Sequence, residues 1–206
     1  MDAFRVLEIK KSVFENNDRQ ADLLREELKR NHTFLLNLMS SPGSGKTTTL
    51  MATINALKDD LRIGVMEPTS TPTSTLRPSH QRRKGHPAAH RRHVPPRRGH
   101  DAPGLEGLGT ENIDLAILEN VGNLVCPAEF DTGAVKNAMI LSVPEGDDKP
   151  LKYPLMFSIC DVLLVNKIDV APYFNFDLDK CVERVKKLNP NIQVFPISAL
   201  KGEGIE

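Results

Sequence analysis

Residues 35–50, LLNLMSSPGSGKTTTL, decide the fold. An apolar run ends in a Ser-Pro-Gly-Ser-Gly turn, and a Lys-Thr-Thr-Thr-Leu run with helical patterning follows at once. Strand, glycine turn and helix in that order predict a phosphate-binding loop, because successive backbone N–H groups and the helix N-terminus face one anion. Gly43 and Gly45, with Ser44 between them, are where a side chain would block that approach. Lys46 is expected to reach the β- and γ-phosphates and the Thr47 hydroxyl to ligate Mg2+, with Thr48 beside it. Ser40 stands where the usual pattern has its first glycine. The alternative, a Gly-Ser turn with an exposed lysine, leaves the flanking strand and helix patterns unexplained.

Outward from this loop, apolar runs recur: 33–39, 61–67, 113–120, 137–143, 160–169 and 192–198. Helical spacing fills 46–60 and 177–190, the latter stopped by Pro190, and one or two helices are expected over 4–30. Apolar strands alternating with helices predict an α/β fold, a mostly parallel sheet flanked by helices on both faces. Residues 1–32 form an N-terminal helical segment and 33–206 a nucleotide-binding G domain. Charge balances at 27 basic against 27 acidic residues, so net charge argues neither for nor against a polyanionic partner. No apolar run approaches the ~18–20 residues that span a bilayer, and the N-terminus is charged from Asp2, so a cytoplasmic protein with no membrane partner is expected.

NKID, residues 166–169, closes the fifth apolar run. The Asp169 carboxylate can accept from both the ring N–H and the exocyclic amine of guanine, a pattern adenine does not present. Asn166 would bridge loop and base, and the Lys167 stem would cover the ring. Ser198, Ala199 and Leu200 close the next strand, where backbone N–H groups would meet the guanine oxygen. Four residues alone also fit a solvated Asn-Lys turn; the three motifs in order favour GTP over ATP.

The runs LNLMSSPGSGKTT (36–48), ENVGNLVCPAEFD (119–131), EGDDKPLKYPLMF (145–157) and NKID resemble the hydrogenase nickel-incorporation GTPases, the HypB family. The resemblance implies a P-loop NTPase of the dimerising (SIMIBI) branch, sharing its fold with the urease accessory GTPase. It implies GTP hydrolysis with Mg2+ at a two-fold homodimer interface, coupled to passing Ni2+ to a hydrogenase large-subunit precursor with other maturation factors. On that basis Glu119, at a strand end, would act on Mg2+ or its water, completing a catalytic set with Lys46 and Thr47. Gly122 would lie at a γ-phosphate sensor. Cys126 would be a metal ligand for Ni2+ or Zn2+, although spacing alone makes it a core or loop thiol. Cys160 and Cys181 read as structural. Asp147 and Asp148 could be a metal or catalytic pair, or a solvated turn ion-paired to Lys149 or Lys152. The resemblance also implies a final helix after KGEGIE (201–206).

Residues 68–103 break every pattern. They carry eight Arg or Lys against Asp101, with Leu76, Val94 and three alanines as the apolar content. Too little apolar surface is present to offset an ordering cost of about 1–2 kcal/mol per residue, so disorder is expected. The HypB resemblance implies an acidic Asp-Ile-x-x-Asp-x-Asp-Ala-Glu switch and a Gly-Gly-x-Cys-His-x-Asp-Ala metal stretch here, and neither is present. Yet TSTPTSTLR (69–77) can be encoded so that one added leading G yields Asp-Ile-Asp-Thr-Asp-Val-Asp-Ala-Glu. RRHVPPRRGHD (91–101) can be encoded so that skipping one base yields Gly-Gly-Met-Cys-His-Leu-Asp-Ala-Gly-Met-Thr. The window therefore reads as frameshifted, with the frame restored by Gly104. Rival readings are a nucleic-acid arm, which lacks interleaved aromatics, and a His-rich metal tract, which lacks ligand spacing. Nucleic acid is not an expected partner, and neither is urease.

Overall fold

The computed structural model describes residues 3–66, 112–120, 122–124 and 131–206, with side chains from residue 17 onward. The window 68–103, its expected disorder, and Cys126 all lie outside the described residues. Each expected apolar run that is described contains a strand: β1 (Phe34–Ser40), β2 (Ile63–Met66), β3 (Leu115–Glu119), β4 (Lys136–Ser142), β5 (Val162–Asn166) and β6 (Gln193–Pro196). They form one sheet in the order β2-β3-β1-β4-β5-β6, and every pairing is parallel. From β1 the chain first adds strands on one side, then crosses to add β4, β5 and β6 on the other. Such a reversal opens a crevice at the carboxyl ends of the strands, where ligands bind in open α/β sheets. That crevice lies at the end of β1, where the glycine turn begins.

Both faces of the sheet are covered, which is why the strands read as continuous apolar runs. On one face Met39, Met139, Leu141, Leu163 and Val165 pack with Met156, Phe157, Cys181 and Val185 from the helices α4 (Pro154–Ile159) and α5 (Leu178–Leu188). On the other, Leu38, Ile117, Ala138 and Ile140 pack with Leu50 of α2 (Lys46–Leu57). Neighbours in sequence thus face opposite layers: Leu38 against Met39, Ile140 against Leu141.

The N-terminal segment is a single helix, α1 (Ala3–Arg30), where one or two were expected. Ala21 and Leu28 are buried, and Leu28 shares a cluster with Leu35, Met66 and Ala116 of the sheet. Arg25 donates to both carboxylate oxygens of Asp131, at 2.6 and 2.7 Å. Gly133, at φ 72°, lies against Leu24 and the Ala21 carbonyl, where a Cβ would come within 3.0 Å of that oxygen. α5 starts at the Asp177 cap, whose side chain accepts from the Lys180 N–H, and stops at Leu188, two residues before Pro190.

Two short helices were not expected: α3 (Lys149–Lys152) and α4. Each has a proline in its first turn, Pro150 and Pro154, where the missing N–H costs nothing. Among the described residues no helix is long and apolar enough to cross a membrane.

Phe157 is fully buried between α4 and the sheet. Phe157→Ala should lower the unfolding free energy by about 3–5 kcal/mol, read as a fall in urea midpoint at unchanged slope.

Candidate nucleotide-binding site

The loop leaving β1 is shaped by two left-handed glycines, Gly43 at φ 76° and Gly45 at φ 95°. Their reasons for being glycine differ. A Cβ on Gly43 would meet nothing within 4 Å, so only its backbone conformation demands glycine. A Cβ on Gly45 would collide with the Asn166 amide nitrogen. Gly45 caps α2, and its carbonyl accepts from the Thr49 N–H and hydroxyl. Ser44 is buried, while Thr47 and Thr48 are exposed on the first turn of α2.

Three loops meet at Asn166, the last residue of β5. Its Nδ2 donates to the Ser44 carbonyl at 2.9 Å, and its Oδ1 accepts from the Ala199 N–H at 3.1 Å. The fifth strand is shorter than its apolar run: it stops at Asn166, Lys167 is left-handed at φ 65°, and a 3-10 turn spans Ile168–Tyr173. That turn sends Lys167 back to the phosphate loop, where Nζ donates to the Gly43 carbonyl at 2.7 Å. The Asp169 carboxylate accepts from the Ser198 hydroxyl at 2.7 Å, which aligns it with the loop after β6. The Ala199 N–H, expected to meet a guanine oxygen, donates here to Asn166 Oδ1. Leu200 next to it is 80% exposed.

On the other side of the loop, Lys46 Nζ donates to the Asn120 carbonyl at 2.5 Å and lies 3.9 Å from Glu119. Gly122 sits against Pro42, where a Cβ would be 3.3 Å from the Pro42 nitrogen. Of the expected set Lys46, Thr47 and Glu119, the Lys46 ammonium and the Glu119 carboxylate lie near one another. Ser40, which replaces the usual first glycine, is buried, and neither its hydroxyl nor that of Ser44 has a partner among the described residues.

Residues 97–196 match the model of the CobW/HypB/UreG nucleotide-binding domain. The Escherichia coli hydrogenase maturation factor HypB is 40% identical over 207 residues, covering 98% of this chain and 70% of that protein. The chain belongs to the HypB family of hydrogenase maturation factors. The Helicobacter pylori hydrogenase/urease maturation factor HypB is 35% identical over 97% of this chain and 84% of its own length. Among solved structures, HypB from H. pylori in complex with nickel matches with a TM-score of 0.71 and 34% identity, over 92% of this chain and 90% of that one. HypB from Archaeoglobus fulgidus also matches at 0.71, with 26% identity over 93% and 94%. Membership makes this chain a phosphate-loop GTPase.

The paired acids are engaged by separate basic partners. Asp147 accepts from the Arg184 guanidinium and from the Asp177 N–H at 2.9 Å. Asp148 pairs with Lys152 at 2.6 Å, and that lysine holds its carboxyl below the usual range. Of the two lysines expected as partners, Lys152 is the one engaged; Lys149 lies over the Tyr153 ring. Arg184, 37 residues from Asp147, carried no local signal in the sequence. Among the described residues no three His, Cys, Asp or Glu gather as a metal site.

Cys160 and Cys181 are buried in the core, as expected for structural thiols. Burial pushes the Cys160 thiol up to about 12 and the Cys181 thiol to about 11. Because the thiolate is the reactive form, neither should react with a thiol reagent near neutral pH in the native chain, and both should after unfolding. The sign for stability follows: the neutral thiols favour the fold at full strength below their ordinary value of 9.0 and lose that contribution as pH rises towards 12. Mass mapping of labelled peptides checks the first statement; alkaline melts check the second.

Proposed function

We propose that this chain binds GTP with Mg2+ on the 40–48 loop, hydrolyses it as a homodimer in the cytoplasm, and passes nickel to a hydrogenase large-subunit precursor alongside other maturation factors. The observation that carries the nucleotide half is the Asn166 amide, which joins the phosphate loop to the loop after β6. Asp169 is held ready beside it by Ser198. The residues fit a triphosphate: the Gly43 face is open, and two buried serine hydroxyls have no partner among the described residues. Mg2+, when bound, would neutralise charge between the β- and γ-phosphates. The exposed Thr47 hydroxyl would hold it, with Glu119 acting on it or its water. Lys46 would turn from the Asn120 carbonyl to the phosphates, and Ser44, Gly45 and Thr48 would line the loop.

The nickel half rests on kinship. The H. pylori relative was solved with nickel, and the relatives at 40% identity are named hydrogenase maturation factors. Cys126 is the proposed ligand, with Zn2+ as a second metal it would accept. The urease-type accessory GTPase is not the favoured reading, since the relatives are HypB proteins, although the H. pylori one is named for both hydrogenase and urease; the nucleic-acid reading has only residues 68–103 to stand on.

For that window we retain the frameshift. The offsets agree with one another. One base missing before Thr69 displaces the frame once, a second before Arg91 displaces it twice, and a third restores it by Gly104. Resequencing the gene should return three single-base additions across this window; an uninterrupted frame in independent clones would contradict the frameshift. As printed, the chain should bind GTP yet hydrolyse it on the order of a hundredfold more slowly than the repaired chain, the scale of losing a charge partner in the transition state. Specific nickel binding should appear only in the repaired chain.

Base choice has its own test. Asp169→Ala should weaken GTP by roughly 10- to 100-fold, the worth of hydrogen bonds to a charged group, while leaving ATP affinity unchanged. Calorimetric titration of both nucleotides decides it, and equal affinity for the two in the unmutated chain would reject the GTP assignment.

A further inference from the structure

The run EGDDKP is used by none of the chemistry above, yet its first residue reaches the phosphate loop. After β4, residues Val143–Glu145 form a 3-10 turn capped reciprocally by Ser142 and Glu145. In that box Glu145 Oε2 accepts from the Ser142 N–H at 2.8 Å and from the Ser142 hydroxyl at 2.7 Å. The local role therefore occupies one carboxylate oxygen. The other, Oε1, accepts from the hydroxyl of Ser41, 104 residues away in sequence. Ser41 is the first residue after β1, its carbonyl receives the Ser44 N–H, and Pro42 behind it is packed by Gly122. The start of the phosphate loop is thus held between the end of β4 and the end of β3.

All three donors to Glu145 are neutral, and a negative charge beside a loop built for a triphosphate opposes binding. A carboxylate is tolerable there only if its acceptor geometry matters more than its charge. We propose that Glu145 is a positioning residue for nucleotide binding: through Ser41 it sets the first turn of the phosphate loop so that the amides after Gly43 converge on the phosphates. The inference rests on the nucleotide reading of that loop. Asp147, two residues on, makes a contrast, since its partners Arg184 and Asp177 belong to α5 and its cap, away from the loop.

The test is a double-mutant cycle on GTP affinity in the full chain, with thermal melts in parallel. Glu145→Ala and Ser41→Ala should each weaken GTP about tenfold or more, the loss of one hydrogen bond to a charged group. The double variant should be no weaker than the worse single one. Glu145→Gln should recover affinity to within about threefold, because its oxygen can serve Ser142 while its amide donates to a rotated Ser41 hydroxyl. Asp147→Asn should lower the melting temperature and leave GTP affinity unchanged. Unaltered affinity in Ser41→Ala or Glu145→Ala, or losses that multiply in the double variant, would overturn the proposal. If Glu145→Ala does not fold, Ser41→Ala and Glu145→Gln decide it by the same criteria. Failure of the unmutated chain to bind GTP would instead count against the nucleotide site itself.

Discussion

The site depends on one side-chain amide. Asn166 spends its donor on the Ser44 carbonyl and its acceptor on the Ala199 N–H, so two loops with no backbone contact between them in the ladder are set at a fixed separation. The residue is almost fully buried, and in such surroundings a satisfied amide is worth keeping because an unsatisfied one costs about 1–3 kcal/mol per orphaned group. Its position also dictates the residue at 45: the amide occupies the space a Cβ would need, which makes glycine obligatory there on two separate grounds. The proposed phosphate and base contacts would therefore rest on one constraint.

That constraint can exist only because of the strand order. β1, β4 and β5 are consecutive neighbours, so the loop after β1, the turn after β4 and the NKID segment after β5 emerge side by side. β6 adds the Ser-Ala loop at the edge. Each loop then binds its neighbour: Ser41 to Glu145, Gly43 to Lys167, Ser44 to Asn166, Asp169 to Ser198. The two-faced core beneath gives these links a rigid base, since side chains on both sides of β1 and β4 are buried. At the far end of β1 the N-terminal helix is joined to the same body through Arg25 and Asp131, and so packs as part of it.

Much of this was legible. Parallel strands packed on both faces, such as β1, β4 and β5, leave apolar runs that no loop imitates, and a glycine turn between strand and helix has few other uses. The runs overstated the strands, because apolar residues such as Ile168 continue into a 3-10 turn that periodicity cannot distinguish from strand. α3 and α4 stayed hidden because they are short and begin at prolines, which read as breaks. The partners of Asp147 and Glu145 were illegible for another reason: local spacing points to Lys149 and Lys152, whereas Arg184 and Ser41 come close only through the fold. The contact of the Ala199 amide was illegible in the same way, since it meets a side chain 33 residues earlier.

The most direct measurement is the affinity of Asn166→Ala for GTP, by calorimetry, beside its melting temperature with and without the nucleotide. If one amide holds both loops, the variant should remain folded, lose GTP affinity by about a hundredfold or more, and show no stabilisation by GTP. A folded variant that binds GTP within about threefold of the unmutated chain would contradict the account.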